Sequence, residues 1–205
     1  ESARAAELAE RQKAETEKTG FGLLTWAVMA DDLPAVTQLL KDGDASSNEA
    51  EVNRGIKVDR PDLTLVRKWT PVMLAMMFGR FEIVVALLEA GANPEARTSK
   101  GWDAVTYAAS NGRADNLAAW LDRFPRWNLE RRESVAGLTA LHCAIQFGPR
   151  KLETVRVLLN AGADIRARTH IGTTVLHHAA KNVDLGTEDV LHLLLERVPE
   201  LLNVP

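Results

Sequence analysis

Apolar residues fall in short dense runs separated by polar turns, and the runs come in pairs. One run, Val72-Met73-Leu74-Ala75-Met76, follows Thr70-Pro71 and stops before Gly79; its partner, Ile83-Val84-Val85-Ala86-Leu87-Leu88, stops before Gly91. The unit returns along the chain, most plainly as Gly137-Leu138-Thr139-Ala140-Leu141-His142-Cys143-Ala144 and again as Gly172-Thr173-Thr174-Val175-Leu176-His177-His178-Ala179. Thr70, Asp103, Thr139 and Thr174 open four copies about 33 to 36 residues apart, a spacing that reads as an internal repeat. Pro71, Ala104, Ala140 and Val175 come next, then Val72, Val105, Leu141 and Leu176, and then the small residues Ala75, Ala108, Ala144 and Ala179. The second runs carry Leu87-Leu88, Trp120-Leu121, Leu158-Leu159 and Leu194-Leu195. Each run predicts a short helix. Thr at the start supplies a capping oxygen, Pro in the first turn costs no hydrogen bond, and the small Ala lets paired helices approach closely. Gly79, Gly112 and Gly148 are expected to end the first helices in the left-handed conformation.

A degenerate first copy reads Gly22-Leu23-Leu24-Thr25-Trp26-Ala27, continued by Val36, Leu39-Leu40 and Gly43-Asp44. Five units are then expected at roughly residues 20–44, 67–97, 98–133, 134–168 and 169–205, with an insertion near 45–66. The Thr-Pro-Leu-His-x-Ala core, best kept at Thr139 to Ala144, resembles that of the ankyrin-repeat family. The resemblance implies an all-α ankyrin-repeat solenoid of stacked helix pairs with inter-repeat turns, in which one repeat buries its apolar face only against the next. Residues 20–205 would form this array, and 1–19, rich in Ala, Glu, Lys and Arg, an N-terminal helical extension or linker. The start at Glu1, the break-off at Leu201 to Pro205 and the apolar run Val190 to Leu195 suggest a piece of a longer protein.

Composition narrows the function classes. A chain of 205 residues with 46% hydrophobic and 26% charged residues can build a core, and its net charge of −3 gives no overall attraction to nucleic acid or anionic membrane. Cys143 is the single cysteine, which excludes an internal disulfide and suits a reducing, intracellular and cytoplasmic setting. No apolar run reaches the ~18 residues of a membrane span. His142 and His177 occupy the family's His position and are read as structural. His177-His178 diverge on a helix and do not offer the spacing of a zinc site. Cys143 beside His142 points to another side of the helix, so a thiol nucleophile is not expected. No phosphate loop occurs. The chain is therefore expected to have no catalytic residues, no cofactor and no metal site.

What remains is surface. The family implies a concave binding face made by the inter-repeat turns, the residue before each Thr position, and the end of each first helix. Here those positions hold Phe21, Trp69, Trp102, Leu138 and Thr173, and Met29, Met77-Phe78, Ser110-Asn111, Gln146-Phe147 and Lys181-Asn182. Trp69, Met77, Phe78, Trp102 and Phe147 would make an apolar patch. Arg97, Lys100, Arg131 and Arg168 line the turns and would meet acidic flanks of a partner. The implied function is noncatalytic recognition of a protein or peptide. The alternative is a regulatory or scaffolding domain of a longer enzyme, channel or transporter, docking within the same polypeptide. A second reading of Trp69 and Phe78 has them covered by the insertion, whose Val52, Ile56, Val58, Leu63, Leu65 and Val66 would fold back as a lid. Trp26 and Tyr107 are expected between repeats, and Trp120 and Trp127 in the core.

Overall fold

The computed structural model describes residues 22–43, 45–60, 63–182 and 187–198. The expected N-terminal extension, Phe21 and Leu201 to Pro205 lie outside them. The chain divides into two compact units between Ser99 and Lys100. In the first, α1 (Leu23–Met29) and α2 (Leu33–Asp42) form one helix pair, and α4 (Pro71–Phe78) and α5 (Phe81–Glu89) a second. Between them run α3 (Ala45–Val52) and two strands, β1 (Ile56–Arg60) and β2 (Leu63–Trp69). The second unit holds three pairs: α6 (Ala104–Ser110) with α7 (Ala114–Arg123), α8 (Ala140–Phe147) with α9 (Lys151–Asn160), and α10 (Val175–Lys181) with α11 (Thr187–Arg197).

Within each unit the first helices pack on one another, as do the second helices, and each first helix packs on its own partner. Two layers result in each unit. The core lies between them, filled in the second unit by Leu117, Trp120, Leu141, Ile145, Leu158 and Leu194, all essentially without solvent contact. Trp120 is the largest of these, and its ring meets Phe124 at 4.8 Å and the edge of Trp127 at 5.2 Å. Removing so large a buried ring characteristically costs about 3–5 kcal/mol.

The local chemistry explains where helices start and stop. Asp103 caps α6, its Oδ1 accepting from the Thr106 amide at 2.9 Å and the Thr106 hydroxyl at 2.8 Å. Thr139 and Thr174 start α8 and α10, with the ring Nδ1 of His142 and His177 folded back on their hydroxyls at 2.9 and 2.8 Å. Second helices end as expected at Gly91 and Gly162, both left-handed at φ 88° and 90°. Among the first helices Gly112, after α6, is left-handed as expected at φ 65°, but the other two glycines are not. Gly79 and Gly148 have φ of −88° and −69°, so the left-handed argument fails there. Gly148 is required for closeness instead: a Cβ would lie 2.6 Å from the Ala144 carbonyl oxygen and 3.0 Å from that of Ala109.

The insertion is built rather than looped. Its β1 and β2 pair antiparallel with Val58 opposite Val66 and Ile56 opposite Trp69, the one sheet among the described residues, confined to the insertion between otherwise all-α helix pairs. Helix α3 is fastened to the end of α5. The Asn53 amide donates to the Gly91 carbonyl at 2.9 Å, and its Oδ1 accepts from the Asn93 amide at 2.7 Å. Behind this clamp is a cavity of about 550 Å³ lined by Thr37, Leu40, Lys41, Glu49, Ala86 and Glu89. Helix α3 thus lies along the second-helix side. It does not cover Phe78, which stays 48% exposed.

Candidate protein-recognition surface

In the second unit the residue before the α6 cap is Trp102. Its ring packs on Tyr107, 5.0 Å between centroids, and on Phe147, 6.2 Å away and the last residue of α8. Tyr107 is buried, Trp102 half-buried and Phe147 50% exposed, so the three rings step from core to surface. Turns beside them are laced together. The Glu133 carboxylate, itself buried, accepts from the amides of Val135 at 2.7 Å, Ala136, and Leu138 at 3.2 Å. Backbone bonds from Ser134 to the Lys100 carbonyl at 2.9 Å and from His170 to the Ala136 carbonyl at 2.8 Å join successive turns. The result is a preorganised face. Asn182 fixes its far side by donating to the carbonyls of Ile145 and Gln146 at 3.0 Å each, which satisfies two acceptors at the end of α8.

The basic residues do not all stand where the rim was expected. Arg168 is exposed, with its Nη1 donating to the Gly172 carbonyl at 3.0 Å, and Arg132 donates to the Arg168 carbonyl. Lys100 is half-buried. Arg131 is drawn inward: its Nη1 lies 3.5 Å from the Asp103 Oδ2, and its guanidinium sits 4.5 Å from the centre of the Trp127 ring. The cap residue of α6 thereby holds a cation, and the cation holds an aromatic ring. Trp127, expected as core, is half-buried under it. Two exposed aliphatics of the turns escaped the sequence reading. Val135 is 70% and Ile171 85% exposed, and no periodicity marks a turn tip.

The first unit carries a smaller counterpart. Phe78 and half-buried Met77 end α4, and Met29 ends α1 with 38% of its surface exposed. Asp31 and Arg80 clamp the two helix ends: the Asp31 Oδ1 accepts from the Arg80 amide at 2.9 Å, and the Arg80 Nε lies 3.3 Å from Oδ2. Trp69 ends β2, half-buried, and Arg97 lies exposed in the turn after α5.

A family model of ankyrin repeats, in three copies, matches residues 24–124 and 124–202. The chain belongs to the ankyrin-repeat family. Among curated proteins it is similar to the B-cell lymphoma 3 protein homolog of Mus musculus, 30% identical over 169 residues, which cover 82% of this chain and 35% of the relative. The human B-cell lymphoma 3 protein is 31% identical over 162 residues, 78% of this chain and 33% of its own length. The ANK repeat-containing protein nipk-1 of Caenorhabditis elegans is 29% identical over 150 residues, 66% of this chain and 24% of its own length. The chain thus spans about a third or less of these relatives.

Ankyrin repeats are generally non-catalytic protein-interaction modules, and the His and Cys residues of this chain's first helices are placed as structure. His142 of the fourth repeat is buried, and burial with His178 nearby lowers its pKa to about 4, so it folds neutral. The two imidazoles meet edge to face at 5.2 Å, and His178, its own pKa lowered mainly by burial, bonds the Thr173 hydroxyl at 3.1 Å. Burial pushes the Cys143 thiol up, which leaves no thiolate at neutral pH. Among the described residues no group of three or more His, Cys, Asp or Glu is placed to hold a metal ion. No described helix is long and apolar enough to cross a membrane.

Proposed function

We propose that this ankyrin-repeat chain is a noncatalytic recognition module that binds a protein or peptide segment on the face made by its first-helix ends and inter-repeat turns. The observation that carries this reading is Phe147, half exposed at the end of α8 yet braced by Trp102. An apolar ring held rigidly at the surface loses little conformational entropy on binding, which is the property of an interface anchor. Phe78 with Met77 and Trp69 plays the same part in the first unit. Arg97, Lys100 and Arg168 supply positive charge for acidic flanks. Arg131 supports the scaffold through Asp103. With a single, buried cysteine the chain suits an intracellular, cytoplasmic setting.

Capture with the immobilised wild-type chain, run beside Phe147→Ala and Phe78→Ala, tests the reading. Each variant is expected to remain folded and to lose about 2 kcal/mol or more of affinity for the captured protein. Retention of full affinity by both variants would sink it. A second reading rests on the chain spanning about a third of its relatives: the same face docks on another part of one longer polypeptide. In that case, adding the remaining polypeptide in trans should compete with the captured partner for Phe147.

A further inference from the structure

The turn that carries the buried Glu133 also carries a run that recognition does not use, Arg131-Arg132-Glu133-Ser134-Val135. Two arginines stand three and two residues before a serine, and an aliphatic residue follows it. This is the substrate pattern of basophilic protein kinases, whose acidic cleft reads the arginines and whose apolar pocket takes the next side chain. Ser134 is exposed, Val135 is 70% exposed and Arg132 is exposed, so three of the four reading points face solvent. We propose that Ser134 is a phosphorylation site for a basophilic serine kinase and that its phosphate switches the charge of the recognition face.

In the transfer, the Ser134 Oγ attacks the γ-phosphorus of ATP. The Oγ–P bond forms, the bond to the bridging oxygen of ADP breaks with its electron pair staying on ADP, and the hydroxyl proton passes to the kinase's aspartate base. The phosphate adds a charge of about −2 at neutral pH. The amides of Ser134 and of the residue after it are already engaged, Val135, with Ala136 and Leu138, donating to Glu133 and Ser134 donating to Lys100. Cationic side chains are what remains. Arg132 is two residues upstream, and Lys100 is joined to Ser134 by that backbone bond. Phosphate therefore neutralises the rim and leaves the turn in place. This consequence for binding rests on the recognition reading; the modification itself does not.

The experiment incubates the folded chain with the catalytic subunit of the cyclic-AMP-dependent kinase and magnesium ATP, followed by intact mass and thermal melting. About one phosphate per chain is expected on Ser134, absent from Ser134→Ala and slowed about tenfold in Arg132→Ala, the worth of one charge-assisted contact. Melting should stay within about 2 °C of the unmodified chain, the range of a surface change. Three results overturn the proposal: no phosphate on the folded wild type, equal phosphate on Ser134→Ala, or a melting point lowered by more than about 5 °C. No readout involves a partner. Failure here leaves the capture result standing, and failure of capture leaves the mass result standing.

Discussion

Phe147 leaves half its surface to solvent, so its truncation costs the fold less than loss of a fully buried ring such as Trp120, and the larger loss is expected at a partner. Arg131 has the opposite character. Its side chain is only 19% exposed, and it stands between the Asp103 carboxylate, 2% exposed, and the face of Trp127. Arg131→Ala removes the cation beside a buried carboxylate at the start of α6 and uncovers an indole, and is expected to cost about 1–2 kcal/mol of stability. Arg168→Ala, which frees only an exposed turn carbonyl, should cost less than about 0.5 kcal/mol. Urea denaturation of the two variants checks the contrast. Equal losses would mean that Arg131 belongs to the rim after all. At the sequence level the two arginines look alike, each a basic residue in a turn. Their difference lies in a carboxylate that is far from Arg131 along the chain.

At the scale of the helix pairs, neutral His142 ties α8 to its own cap and touches α10 through His178. Its pKa stands near 6.5 unfolded and about 4 folded, so between those values the unfolded chain binds the proton and the folded chain refuses it. Stability from this group is full above about pH 6.5 and drains away as pH falls toward 4, a loss on the order of 3 kcal/mol. Denaturation midpoints between pH 7.5 and 4.5 should fall in that sense, and His142→Asn should flatten the slope. An unchanged slope in the variant would show that other groups carry it. Helix pairs of this kind were legible because their signals are local: the Thr or Asp cap, the Ala of the first helix, the Leu pair of the second. What connects them was less so. Asn53 reaching Gly91, Asn182 reaching α8 and the close approach behind Gly148 are contacts between distant residues, and no spacing in the chain announces them. The insertion's apolar residues signalled folding but not direction, so a lid over Phe78 and the observed clamp at α5 were equally compatible with them.

Across the whole molecule 25 basic and 28 acidic side chains leave a net charge of −3, which weakly opposes an acidic partner at long range. Any attraction has to come from the local rim, and this makes the electrostatic contribution separable from the global field. Reversing two rim cations, Lys100→Glu with Arg168→Glu, should slow association with the captured partner about tenfold at low salt and change dissociation little. The difference should shrink near 0.5 M salt, as the screening length falls to roughly a few ångströms. Arg123→Glu with Arg126→Glu changes net charge equally, but on exposed residues at and beyond the end of α7, a second helix. If overall charge governed encounter, both double variants would slow alike. If the rim steers, only the first will, and stopped-flow association rates across a salt series decide between them. Equal behaviour of the two pairs would remove Lys100 and Arg168 from the recognition surface while leaving the case for Phe147 untouched.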